Sequence, residues 1–262
     1  MRISKWMTLL AAVCGTALLF TGCKQQNDEK PAREEPAVKK QPKKQLVMAT
    51  NAEFPPYEYI DANGKFAGMD IDIMNAVCRE MGCTLKVENM KFDSVIPSVN
   101  AGKADIGVAG MSVTEDRKKN VDFTQTYATA CQVIIVQVNS PIKDADGLVG
   151  KKVGVQQGTT GDTLACDIKD VKLQRFSKGA EAVLALIQNK IDAVIIDNQP
   201  AKKFVQANEG KVVVLEKPLS DEAYAMAVKK GNTKLLDKVN AALDALKKSG
   251  ELDAIANKYL AQ

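Results

Sequence analysis

From Leu46 to its end the chain alternates short apolar runs with amphipathic helical patterns, and the alternation runs through twice. A run such as Ile106-Gly-Val-Ala-Gly110 is too brief for a helix and is bounded by turn formers, so it reads as a strand buried on both faces. Strand, helix and strand in succession imply a parallel sheet with helices packed on its two faces. Two such rounds, each with polar loops after its strands, argue for two similar α/β lobes rather than one sheet. In open α/β sheets small ligands bind at the carboxyl ends of the strands, which directs attention to the residues that follow each run.

The first round begins with a strand at 45–50 and the loop Asn51-Ala-Glu-Phe-Pro-Pro-Tyr57, then a turn signal at Asp61-Ala-Asn-Gly64. Asp70 is expected to cap a helix whose apolar face is Ile71, Met74, Val77, Cys78 and Met81. A strand at 85–88, a helix at 92–100 broken by Gly102, and a strand at 105–110 complete it. The second round has strands at 131–138 and 152–156, the latter running into Gly158-Thr-Thr-Gly161 and a helix from Asp162. A helix at 180–188 follows, then a strand at 191–196 that delivers Asp197 at its carboxyl end. The chain finishes with a strand at 224–228 and two helices. One has the apolar face Leu235, Leu236, Val239, Leu243 and Leu246, the other Leu252, Ile255 and Tyr259.

The segment before residue 46 differs in kind. Arg2 and Lys5 precede an almost wholly apolar stretch from 6 to 20 and then Thr21-Gly22-Cys23. That stretch is shorter than the roughly 20 residues of a spanning helix, so it reads as a secretion signal. Small residues directly before a cysteine resemble the lipobox of bacterial lipoproteins, which implies loss of residues 1–22 and acylation of Cys23. Phe20 stands where that motif prefers leucine, and a plain signal peptide is the alternative. Residues 24–45 are rich in Lys, Glu, Gln and Pro and almost without apolar side chains, so 23–45 is expected to be a lipid anchor and disordered tether.

The same segment explains the formal charge of +4. Arg2, Lys5 and the seven basic and four acidic side chains of 24–45 carry the excess, leaving 27 basic and 28 acidic residues in 46–262. A folded part so balanced is no nucleic-acid binder. The chain contains no histidine, which removes Ser-His-Asp and Cys-His catalysis, His-ligated zinc and the usual general base near neutral pH. No metal or cofactor is expected.

Three strand ends carry distinct chemistry. Arg117, which closes the stretch begun at Asp105, is a permanently charged fork able to grip a carboxylate with two parallel hydrogen bonds. Thr159 and Thr160 lie in a glycine-flanked turn entering a helix, where free N–H groups and the helix dipole favour an anion. Asp197 offers a carboxylate to an ammonium. Singly, each has an ordinary explanation: a solvated arginine, capping threonines, an aspartate capping the helix near Pro200. Together, facing one another across a cleft, they would form a receptor for a zwitterion.

Six motifs now converge: Thr50-Asn-Ala-Glu-Phe-Pro-Pro-Tyr-Glu58, Gly68-Met-Asp-Ile-Asp-Ile73, Ala104-Asp-Ile-Gly-Val-Ala-Gly-Met-Ser-Val-Thr-Glu-Asp-Arg117, Asp122-Phe-Thr124, Val153-Gly-Val-Gln-Gln-Gly-Thr-Thr160 and Asp192-Ala-Val-Ile-Ile-Asp197. In this order they resemble the family of solute-binding proteins that feed polar amino acids to ABC transporters. The resemblance implies a two-lobed periplasmic-binding-protein fold, each lobe a mainly parallel sheet flanked by helices, joined by two crossing hinge segments. Lobe 1 would comprise 46–129 plus 225–262, and lobe 2 would be 130–224. It also implies that Arg117 takes the ligand α-carboxylate with help from Ser112 and the N–H of Thr160. Asp197 would take the α-ammonium with the Ser112 hydroxyl and the Gly110 carbonyl. Phe54 and Phe92 would sandwich the ligand side chain, although both could equally be core residues.

Asn51, Glu53, Met111 and Gln156 match positions that face the ligand side chain in this family, and so would set selectivity. Relatives that bind basic amino acids often have serine in place of Ala109 and aspartate in place of Asn51. Glu53 could restore the charge by pointing inward. An aromatic pocket with an uncompensated carboxylate favours arginine or lysine, with glutamine or another neutral polar amino acid as the alternative. By the same resemblance the ligand docks on lobe 1, hinge closure adds Thr160 and Asp197, and an ABC transporter permease recognises the closed form. The protein is then an exported monomer, lipid-anchored on the outer face of the cell membrane or in the periplasm. Relatives often carry a disulfide near the positions of Cys78 and Cys83. Gly82 could end the helix and turn Cys83 back, so a bridge between the two is expected and Cys131 and Cys166 are left as thiols. Some proteins of this fold are dehydratases and others are sensor domains; the presence of both Arg117 and Asp197 favours simple binding.

Overall fold

The computed structural model describes residues 44–261; the expected signal peptide, Cys23 and the tether as far as residue 43 lie outside them. The first round of the pattern folds as β1 (Gln45–Thr50), β2 (Glu53–Phe54), β3 (Glu58–Ile60), β4 (Phe66–Ala67), α1 (Met69–Glu80), β5 (Thr84–Asn89), α2 (Val95–Asn100), β6 (Ile106–Gly107), α3 (Glu115–Lys118) and β7 (Val121–Phe123). A crossing strand, β8 (Ala128–Ala130), leads to the second round: β9 (Gln132–Gln137), β10 (Lys152–Gln156), α4 (Thr160–Cys166), β11 (Lys172–Phe176), α5 (Gly179–Ile187), β12 (Ala193–Asp197), α6 (Asn198–Ala207) and β13 (Val212–Val214). A return crossing, β14 (Glu222–Tyr224), precedes β15 (Ala227–Lys229), α7 (Thr233–Lys248) and α8 (Glu251–Leu260).

Two five-stranded sheets result, in the orders β5-β1-β6-β15-β7 and β11-β10-β12-β9-β13. In the first, β15 is antiparallel to both its neighbours while the others share one direction. In the second the reversed strand is β9. Each reversed strand is the one entered directly from a crossing, and the crossings β8 and β14 pair antiparallel with each other. The chain therefore passes between the sheets twice, side by side, as expected of a two-lobed, mainly parallel α/β fold. All five positions of β12 are buried, as are five of the six in β9, as strands covered on both faces require.

Several elements differ from expectation for identifiable reasons. α1 has Gly68, not Asp70, at its N-cap position. Gly68 takes φ 122°, and a Cβ there would lie 2.2 Å from the Tyr57 carbonyl oxygen, so the turn into the helix excludes any side chain. Asp70 is instead fully buried in the first turn, where its carboxylate accepts from the Gly110 N–H and the Tyr127 hydroxyl, both at 2.9 Å. The expected strand 105–110 is regular only over β6, because the chain bends at Gly110 toward Ser112, which bridges to Tyr224. The expected strand 224–228 is two strands: β14 still pairs with the other crossing, and after Ala225 and Met226 β15 joins the first sheet.

The bridge expected between Cys78 and Cys83 is not present. Both are free thiols in hydrogen-bond contact, as Cys131 and Cys166 are also free. The turn that brings the pair together does form: Gly82 takes φ 67°, and the Cys83 N–H donates to the Cys78 carbonyl at 2.9 Å. Proximity from that turn is satisfied by one thiol donating to the other and does not itself require a covalent bond. α7 and α8 pack back on α1. Buried Val239, Leu243, Leu246 and Leu252 carry that docking, because the ion pairs Arg79–Glu251 (2.6 Å) and Lys258–Asp72 (2.7 Å) are solvent-exposed and worth at most about 1 kcal/mol each.

Candidate functional site

The residues that follow β1, β6, β10 and β12 meet in a narrow cleft between the two sheets. Ten expected ligand contacts line it: Asn51, Phe54, Phe92, Gly110, Ser112 and Arg117 from one side, Gln156, Thr159, Thr160 and Asp197 from the other. Ala109 and Glu58 complete the lining. Met111 does not; it is buried in the core with Ala49, Val95 and Val99. Nor does Glu53, which pairs with Lys178 at 2.7 Å. A tight turn carries Glu53 away from the cleft: its N–H donates to the Asn51 carbonyl at 2.7 Å.

Arg117 is held by local geometry. Its N–H donates to the Thr114 hydroxyl that caps α3 (3.2 Å), and its guanidinium lies 5.2 Å over the Phe92 ring. Nη1 donates to the Ser112 carbonyl at 2.8 Å and Nη2 to the Gly158 carbonyl, on the facing side, at 3.0 Å. A guanidinium has five N–H donors, so others remain for a carboxylate. Burial lowers its pKa and the Asp197 and Glu222 carboxylates raise it, so it stays charged. Gly110 takes φ 51°, and a Cβ there would come within 2.9 Å of the Phe54 ring, so only glycine lets the aromatic wall close on the strand end.

On the facing side, Thr159 does cap α4, its hydroxyl accepting from the Asp162 N–H at 3.2 Å. Asp197 occupies the N-cap position of α6 without making a cap bond. Its carboxylate is turned to Tyr224, whose hydroxyl donates to Oδ1. Burial, with the Glu222 charge adding to it, pushes Asp197 up to about 6 although the Tyr224 bond opposes this. Gln156 donates across the cleft to Asn51 Oδ1 at 2.9 Å, and the Asn51 amide donates to the Met90 carbonyl at 2.8 Å.

Two acids had escaped sequence reasoning. Glu58 is fully buried beside Asp70 and the two carboxyl groups share a hydrogen bond; among the described residues no other donor reaches either Glu58 oxygen or Asp70 Oδ1. Burial, with the Asp70 charge adding to it, raises Glu58 well above the usual range, while burial pushes Asp70 up to about 6. Two such carboxyl groups cannot both stay ionised cheaply without a cation beside them. Period-two alternation after buried Tyr57 does not single Glu58 out, since it follows Tyr57 directly. The signal was an acid set inside the aromatic stretch Phe54-Pro-Pro-Tyr-Glu58-Tyr. The second acid, Glu222, accepts from the hydroxyls of Ser112, Thr160 (2.9 Å) and Ser220 (2.8 Å). Nothing in the sequence around it marks that role.

A family model described as bacterial extracellular solute-binding proteins, family 3, matches residues 46–262. A protein of Neisseria gonorrhoeae named "Probable histidine-binding protein" is 32% identical over 268 residues, covering 100% of this chain and 97% of that one. The L-arginine-binding protein of Pseudomonas aeruginosa is 33% identical over 227 residues, covering 82% and 88%. Among solved structures, an ancestral arginine-binding protein bound to arginine is 40% identical with a TM-score of 0.79, covering 84% of this chain and 100% of that one.

Proposed function

Because the chain belongs to family 3 of the bacterial extracellular solute-binding proteins, we propose that it captures a cationic amino acid, arginine or lysine, outside the cytoplasm and delivers it to an ABC importer. The observation that carries the choice of ligand is Glu58, a buried acid in the cleft wall whose polar partner among the described residues is a second buried acid, Asp70. A guanidinium or alkyl-ammonium supplies the missing charge and donors, and the nearby rings of Phe54 and Phe92 suit a flat cation. The relatives named for arginine support the same choice.

In this reading the ligand carboxylate meets Arg117 and the N–H of Thr160, and its ammonium meets Asp197, the Ser112 oxygen and the Gly110 carbonyl. The side chain runs between Phe54 and Phe92 toward Glu58, flanked by the amides of Asn51 and Gln156. Those two amides favour glutamine as the second reading, since both can pair with another amide. Binding rather than catalysis is the reading for the whole chain, supported by relatives named for binding. A ligand recovered chemically unchanged after incubation would agree with it, and a dehydrated product would not. The protein is a monomer held to the outer face of the membrane by acylation at Cys23. Labelled fatty acid should appear in the native protein and vanish in Cys23→Ala; equal labelling of both would remove that anchor. A thermal-shift screen of the amino acids tests the ligand: arginine and lysine should stabilise most, and stabilisation by glutamine alone would reverse the choice.

A further inference from the structure

The crossing strand β14 places one carboxylate where both halves of the cleft can reach it. Glu222 Oε2 accepts from the Ser112 hydroxyl, which follows β6 of the first sheet, and from the Thr160 hydroxyl at 2.9 Å, which begins α4 of the second. Its other oxygen accepts from Ser220, two residues back on the same crossing, at 2.8 Å. Ser220 in turn accepts from the Gln132 N–H at 3.0 Å, and the Gln132 amide donates to Thr160 at 2.9 Å. A carboxylate that accepts three bonds is firmly oriented. Ser112 and Thr160 lie on opposite sides of the cleft, so the sheets cannot separate there without breaking one of the two bonds to Oε2.

We propose that Glu222 is a positioning residue that clasps the cleft shut: it ties Ser112 to Thr160 and turns both hydroxyl protons away from the ligand. With its O–H donating to Glu222, Ser112 presents only oxygen lone pairs to the cleft, the orientation that accepts from an ammonium. The clasp also holds the ligand-free cleft more closed, and once a ligand is enclosed it must break before the ligand leaves, so its effect falls chiefly on release.

The inference rests on the proposed amino-acid ligand for one of its two readouts, and the other needs no ligand. In stopped-flow measurements with arginine as the probe, Glu222→Ala should release arginine at least tenfold faster than the native chain, with association changed less than threefold. Glu222→Gln, which keeps one acceptor oxygen, should recover part of the loss. A purely structural defect would lower the melting temperature without separating the two rates in this way. In small-angle scattering of the protein stripped of ligand, Glu222→Ala should have the larger radius of gyration. Native dissociation rates and native compactness in Glu222→Ala would overturn the clasp. If the native chain fails to bind arginine, the functional reading fails, and the scattering comparison alone decides the clasp.

Discussion

Arg117 in α3 and Asp197 at the end of β12 face one cleft from opposite sides and carry opposite charges, and most of the binding free energy of a zwitterion should pass through them. Replacing Arg117 by Ala leaves a ligand carboxylate desolvated and unpaired, a loss of about 3–5 kcal/mol. Calorimetry should therefore show affinity reduced by more than a hundredfold; near-native affinity would reject the zwitterion grip. Glu58→Gln keeps the shape but removes the charge. It should weaken arginine at least tenfold while leaving glutamine within a few-fold, which competition binding can read. These residues differ in how far the sequence exposed them. Arg117, Thr160 and Asp197 were legible because each comes after an apolar run: Asp197 ends β12, and Arg117 and Thr160 lie in the helices that follow β6 and β10. Glu53 and Met111 fall outside the cleft lining, because a tight turn at Asn51 carries Glu53 out to Lys178 and Met111 is buried with Val95 and Val99. Glu222 is bonded to Ser112 and Thr160, both far from it in sequence, and Glu58 is buried only once the cleft is assembled, so no local pattern marks either acid.

At the scale of elements, the apolar periodicity of α1, α7 and α8 survives into the structure, since Ile71, Met74, Val77, Val239, Leu243 and Leu252 are all buried. Helix faces are set by residues three or four apart and are readable locally. The crossing strands β8 and β14, and β15 that follows them, are not, because each is defined by which distant strand it pairs with. That is why a single strand at 224–228 was expected where two occur. The entry to α1 depends equally on a distant group, the Tyr57 carbonyl. Gly68→Ala should destabilise the fold on the order of 3 kcal/mol, since it combines a disfavoured φ with a clash against backbone. Chemical denaturation measures this; a change below about 0.5 kcal/mol would mean the turn can relax.

For the molecule as a whole, the cleft gathers buried acids whose protonation should couple to stability and to ligand. Asp70 and Asp197 stand at about 6, against the ordinary 3.8. An acid raised in the folded state binds more protons folded than unfolded. Its contribution is therefore fully present below about pH 3.8 and is lost as pH rises through about 6. From these groups the protein stripped of ligand should lose stability between about pH 4 and 7, visible as a falling melting temperature. A bound cation reverses the preference by holding Asp197 and Glu58 ionised. Binding near pH 6 should then release protons, detected as a dependence of calorimetric heat on buffer ionisation enthalpy. The most direct test of the central claim is isothermal titration of arginine and of glutamine into protein stripped of bound ligand at pH 7.5. Arginine is expected to bind at least tenfold more tightly than glutamine; equal or tighter binding of glutamine, or no heat with arginine, would contradict the account.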